Sequence, residues 1–99
     1  MPPQNCHFYH GLLGSAYYTL GETRRAIEYY EQRLVIAREI GDQRGEGIAL
    51  LNMSLALDKL GQRQKAIEHA EAALRILEQI EDPNAGKVRS QLEEWKHQV

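Results

Sequence analysis

Cys6, His7 and His10 are the densest group of metal-competent side chains in the chain. Cys6 and His10 stand four residues apart, on one face if a helix has begun there, and thiolate with imidazole is a zinc-type pair. A tetrahedral site needs further ligands, and His69 and His97 are distant in sequence, so no metal site is expected. The pairs Glu28/Glu31 and Glu68/Glu71 are spaced as neighbours on a helix surface and are read as surface residues rather than acid–base machinery. Ser15, Ser54 and Ser90 have packing or surface explanations. A phosphate loop, a His-Glu-x-x-His pair and a Gly-x-Ser-x-Gly elbow are all missing. The expectation is a chain that is not an enzyme and carries no cofactor.

The 99 residues allow one domain. A hydrophobic share of 42% with 26% charged is the balance of a folded chain rather than a disordered one. Twelve Lys and Arg oppose 14 Asp and Glu, a net charge of −2 that divides evenly between the halves. No basic stripe runs along the chain, so nucleic acid is not an expected partner. A single cysteine excludes an internal disulfide and fits a reducing compartment. The longest purely apolar run, Ile48 to Leu51, is far short of a membrane span. Met1-Pro2-Pro3 lacks the features of a secretory signal. A cytoplasmic location without membrane contact is expected.

The elements that position these side chains come from an internal repeat. A shift of 40 residues superposes Ala16, Leu20, Gly21, Ala26, Ile27 and Glu28 on Ala56, Leu60, Gly61, Ala66, Ile67 and Glu68. It also superposes Glu31, Leu34, Ile36, Ile40 and Asp42 on Glu71, Leu74, Ile76, Ile80 and Asp82. Within each unit the apolar residues recur every three or four positions, the period of a buried helix face. Leu-Gly at 20–21 and 60–61 reads as a helix end, because glycine accepts the left-handed conformation just past it. Asp82-Pro83 reads as a helix start, with Asp42 in the equivalent capping place. The pattern predicts five helices, near 5–20, 23–40, 43–60, 63–80 and 83–97, and no strands. Small residues at Gly14 or Ser54, facing Ala26 or Ala66, are expected to let paired helices approach closely.

Leu13-Gly14, Ala16-Tyr17, Leu20-Gly21, Ala26-Ile27, Tyr30 and Leu34 make up the first unit's signature. Met53-Ser54, Ala56-Leu57, Leu60-Gly61, Ala66-Ile67, Ala70, Ala73 and Leu74 make up the second. Together they resemble the tetratricopeptide repeat. The 40-residue period, against about 34 in the usual repeat, is similar to the long-helix variety of kinesin light chains, GoLoco-binding spindle-orientation proteins and bacterial multi-repeat regulators. The resemblance implies an all-α, right-handed α-α superhelix. Its parts are a repeat over about 5–42, a second over about 43–82 and a capping helix over about 83–97. Arg33 stands where the general motif prefers alanine, and Ile48 where GoLoco-binding repeats often place arginine, so GoLoco recognition is not expected. Gly11 and Ser15 replace the Lys and Asn of a carboxylate clamp, although Asn52 matches one clamp position.

Carried over position by position, the resemblance puts Phe8, Gly11, Ser15, Tyr18 and Thr19 on a concave face. Ile48, Leu51, Asn52, Leu55, Asp58 and Lys59 continue that face. The helix over 43–60 is apolar nearly all round, since Leu50, Met53, Ala56, Leu57 and Leu60 already form its core side. Its second stripe, Ile48, Leu51 and Leu55, has two readings: neighbours within the fold cover it, or it receives a peptide or helix of a partner protein. All five tyrosines lie in the first hairpin. Tyr17 and Tyr30 fit packing positions, and Tyr9, Tyr18 and Tyr29 are candidates for contact with another chain. Val88, Leu92 and Trp95 give the last helix the single stripe of a cap. Two repeats and a cap fall short of the usual three, which predicts a homo-oligomer or a module of a longer array.

Overall fold

The computed structural model describes residues 22–97. They form four helices: α1 (Thr23–Ile40), α2 (Gln43–Lys59), α3 (Arg63–Gln79) and α4 (Asn84–His97). Each boundary lies within one residue of the expected one, and no strand occurs among the described residues. The helix expected over 5–20 lies outside them, and so do Cys6, His7, His10 and five concave-face candidates, Phe8, Gly11, Ser15, Tyr18 and Thr19.

The chain reverses by one device used three times at intervals of 20 residues. Gly41, Gly61 and Glu81 take left-handed φ values of 73°, 80° and 56°. After each of them, the N–H of Asp42, Gln62 or Asp82 reaches back to the carbonyl of Ala37, Leu57 or Leu77, at 2.8, 2.9 and 2.8 Å. The N–H groups of Gly41, Gly61 and Glu81 donate to the carbonyls of Arg38, Asp58 and Glu78. This double closure satisfies carbonyls that a helix end leaves open, and it favours glycine at the left-handed residue. Glycine serves the first two turns, and a glutamate must adopt the strained conformation in the third. Asp42 then caps α2 by accepting from the N–H of Gly45 at 2.8 Å, and Asp82 accepts from the N–H of Asn84 at 2.8 Å. Pro83 falls in the turn, and α4 begins one residue later.

Consecutive helices pack on one another. One buried cluster joins Tyr30 and Leu34 of α1 to Leu50 and Met53 of α2 and Ala73 of α3. A second joins Leu57, Ile67, Ala70 and Leu77 to the α4 stripe of Val88, Leu92 and Trp95. Alanine dominates the closest approaches: Ala26, Ala37, Ala49, Ala56, Ala66, Ala70 and Ala73 are fully inaccessible. Ser54 is equally buried, and its hydroxyl donates to the Leu51 carbonyl at 2.6 Å, so its polarity is met within its own helix. Helices α2 and α3 approach closely at Gly47. A Cβ there would lie 2.8 Å from Leu77 Cδ2 and 2.9 Å from its Cγ. Leu60, expected in the core, is half-buried.

Candidate functional site

The buried residues of α2 run from Gly45 through Gly47, Ala49, Leu50, Met53, Ser54 and Ala56 to Leu57. At about 3.6 residues per turn they occupy the side facing α1 and α3. Ile48, Leu51, Asn52, Leu55, Asp58 and Lys59 share the opposite arc of roughly 120°. Every concave-face candidate within the described residues therefore stands on one face. Lys59 is exposed and the other five are half-buried.

Ile48, Leu51 and Leu55 also pack against the edge of the second cluster, the one containing Val88, Leu92 and Trp95. Neighbours thus take up part of the stripe, and the rest stays open to solvent. The polar ends of the face are tied toward α4. At one end the Arg44 Nε donates to Asp82 Oδ2 at 2.8 Å, in front of the first turn of α4. At the other, Arg63 donates to Asp58, and its guanidinium carbon lies 5.5 Å from the centre of the Trp95 ring. Sequence reasoning missed both ties, because neither Arg44–Asp82 nor Arg63–Trp95 has a spacing that marks it. The 40-residue period hinted at the first alone, since Asp42 and Asp82 are equivalent caps.

Asp82 carries the most informative electrostatics. Its side chain is almost wholly covered. The backbone hydrogen bond from Asn84, opposed by burial and aided by Arg44 and the Asn84 amide, holds its carboxyl below the usual carboxylate range. A folded-state value below the unfolded one, about 3.9, means a stabilising contribution fully present above pH ~4. It is lost as pH falls through the folded value. Thermal melts should therefore show wild type above Asp82→Asn at neutral pH, with the gap narrowing as pH falls below about 4. A gap independent of pH would rule out the ionised cap.

Arg33, at the position where the motif prefers alanine, is half-buried on α1 with its Nε covered and without a hydrogen-bond partner. Burial draws its pKa down and the Asp42 charge opposes this. Glu28, Glu31 and Glu68 are exposed, and Glu71 pairs with Lys96 at 3.1 Å, which accords with surface roles. Among the described residues no three His, Cys, Asp or Glu side chains gather to hold a metal, and no helix is long and apolar enough to cross a membrane. Shallow clefts lie beside Thr23 and Leu60 and between Ile67 and Lys96, away from the open face of α2.

The family model of the tetratricopeptide repeat matches residues 6–79, about three quarters of the chain. The chain belongs to the tetratricopeptide-repeat family. Human (Homo sapiens) G-protein-signaling modulator 1 is similar to this tetratricopeptide-repeat chain, 44% identical over 54 residues. The match takes in 54% of this chain and 8% of that protein, so the chain spans a small part of its relative's length. Tetratricopeptide repeats generally act as non-catalytic scaffolds for protein–protein interaction. The helical hairpins described above are the architecture of that family.

Proposed function

We propose that this tetratricopeptide-repeat module binds a peptide or helix of a partner protein along the open face of α2. Ile48, Leu51 and Leu55 supply the apolar contacts, and Asn52, Asp58 and Lys59 supply register. The family resemblance adds Phe8, Ser15, Tyr18 and Thr19, outside the described residues, as further candidate contacts. The observation that carries the reading is that all three apolar side chains remain partly exposed after α1, α3 and α4 have docked. Scattered exposed leucines are ordinary, but three in one helical row form a stripe.

Half-burial sets the energy scale. Completing the burial of each side chain contributes at most about 1 kcal/mol, roughly a third of what a fully exposed leucine gains. A polar replacement adds the cost of desolvating an amide. Leu51→Gln with Leu55→Gln should therefore weaken partner binding by about a hundredfold or more. The test is affinity capture from native lysate with wild type and the double variant, alongside far-UV circular dichroism. Loss of a specific partner with helicity retained supports the reading. Equal capture refutes it, and collapse of helicity returns the stripe to the core.

A further inference from the structure

Helix α4 lies antiparallel on α3 in a register fixed at two points. Arg89 donates to Glu78 at 2.6 Å and Lys96 donates to Glu71 at 3.1 Å. Seven residues forward along α4 thus answer seven residues back along α3. Beside these pairs Val88, Leu92 and Trp95 are buried in one cluster with residues of α3, and α3 is the helix that α4 chiefly packs against.

The connection between the two helices spans only residues 80–83. Its left-handed position holds Glu81, φ 56°, where the earlier turns have glycine. Closing this turn within one chain therefore carries a backbone strain that an opened connection does not. Pro83 lacks an N–H and hinders fusion of α3 and α4 into a single helix, so the four residues act as a hinge. Opening the hinge gives up the turn's own backbone hydrogen bonds, from Glu81 to Glu78 and from Asp82 to Leu77, and otherwise only contacts that another copy can restore.

We propose that α4 is exchangeable, and that α4 of a second copy seats on α3 in the same antiparallel register to give a domain-swapped dimer. The partner is specified by chemistry already present: an apolar stripe of Val88, Leu92 and Trp95 flanked by two cations seven residues apart, opposite two anions seven residues apart. Ile48, Leu51 and Leu55 meet a swapped α4 as they meet the closed one, so this proposal stands or falls separately from the peptide groove.

Two full-length variants test it. Glu71→Lys/Glu78→Lys in one chain and Arg89→Glu/Lys96→Glu in the other place like charges across each closed monomer. Refolded together, only the swapped heterodimer restores opposite charges at all four pairs. Native mass spectrometry should then show a 1:1 species of twice the single-chain mass, enriched roughly tenfold over either homodimer. Single-chain masses alone, or homodimers and heterodimers in statistical proportion, overturn the proposal. Glu81→Gly in the otherwise wild-type chain gives a second arm that reverses no charge. The left-handed penalty corresponds to about a factor of five per hinge, and a swapped dimer relieves two. Sedimentation should show dimerisation of Glu81→Gly weakened about twenty-five-fold relative to wild type. A wild type that does not dimerise at millimolar concentration, or a Glu81→Gly chain that dimerises as well as wild type, also overturns it.

Discussion

Leu77→Ala is expected to cost about 3–5 kcal/mol and to lower the melting temperature by roughly 15 °C or more. Leu77 is fully inaccessible and belongs to the cluster that unites α2, α3 and α4. Its side chain fills the space that the missing Cβ of Gly47 leaves. The loss is a large fraction of the roughly 5–15 kcal/mol that holds a domain of this size together. A second substitution shows where the energy resides. Gly47→Ala alone forces a methyl group against Leu77 and should destabilise by about 1–3 kcal/mol, less a gain of up to ~1 kcal/mol in helix propensity. In the Leu77→Ala background the same methyl enters vacated space, so the double variant should be more stable than Leu77→Ala alone. Chemical denaturation of the four chains measures the coupling, predicted at more than about 1 kcal/mol. Strict additivity would mean that the two residues do not meet.

Trp95→Ala should cost about 3–5 kcal/mol and act mainly on α4. Trp95 anchors the far end of the α4 stripe and receives the Arg63 guanidinium on its ring. The surviving ties, Arg89–Glu78 and Lys96–Glu71, join side chains that are about half exposed. Exposed pairs of that kind contribute at most about 1 kcal/mol each. A 14-residue helix without a docking face is marginal in water. The expected result is loss of amide protection across residues 84–97, while the centre of α3 stays protected. Uniform loss across all four helices would show that α4 and the hairpin melt as one unit.

The sequence made the hairpins legible because the 40-residue duplication ties helix period, turn glycines and capping aspartates together. Helix ends emerged within a residue because Gly41, Gly61, Asp42 and Asp82 each have a conformational preference that few other residues share. That Ile48, Leu51 and Leu55 share one arc of α2 was legible for a similar reason, since Leu50, Met53 and Leu57 leave them only that arc. What sequence did not reveal depends on three-dimensional proximity. Gly47 is an ordinary helical glycine until Leu77 is seen against it. Glu81 has no marker for a left-handed turn, and only its place 20 residues after Gly61 hints at one. The ties from Arg44 and Arg63 toward α4 bridge separations that no local pattern encodes. The stripe itself, left open between cover and a partner by the sequence, is partly covered by the cluster of Val88, Leu92 and Trp95.

The central claim, that a partner lies along the open face of α2, is tested most directly by photo-cross-linking in native lysate. A photoreactive side chain is installed either at Leu55 or at Val35, which is 53% exposed on α1 and outside the proposed face. The account predicts a discrete partner adduct from position 55 and none from position 35. An adduct of equal yield from both positions, or from position 35 alone, would contradict it.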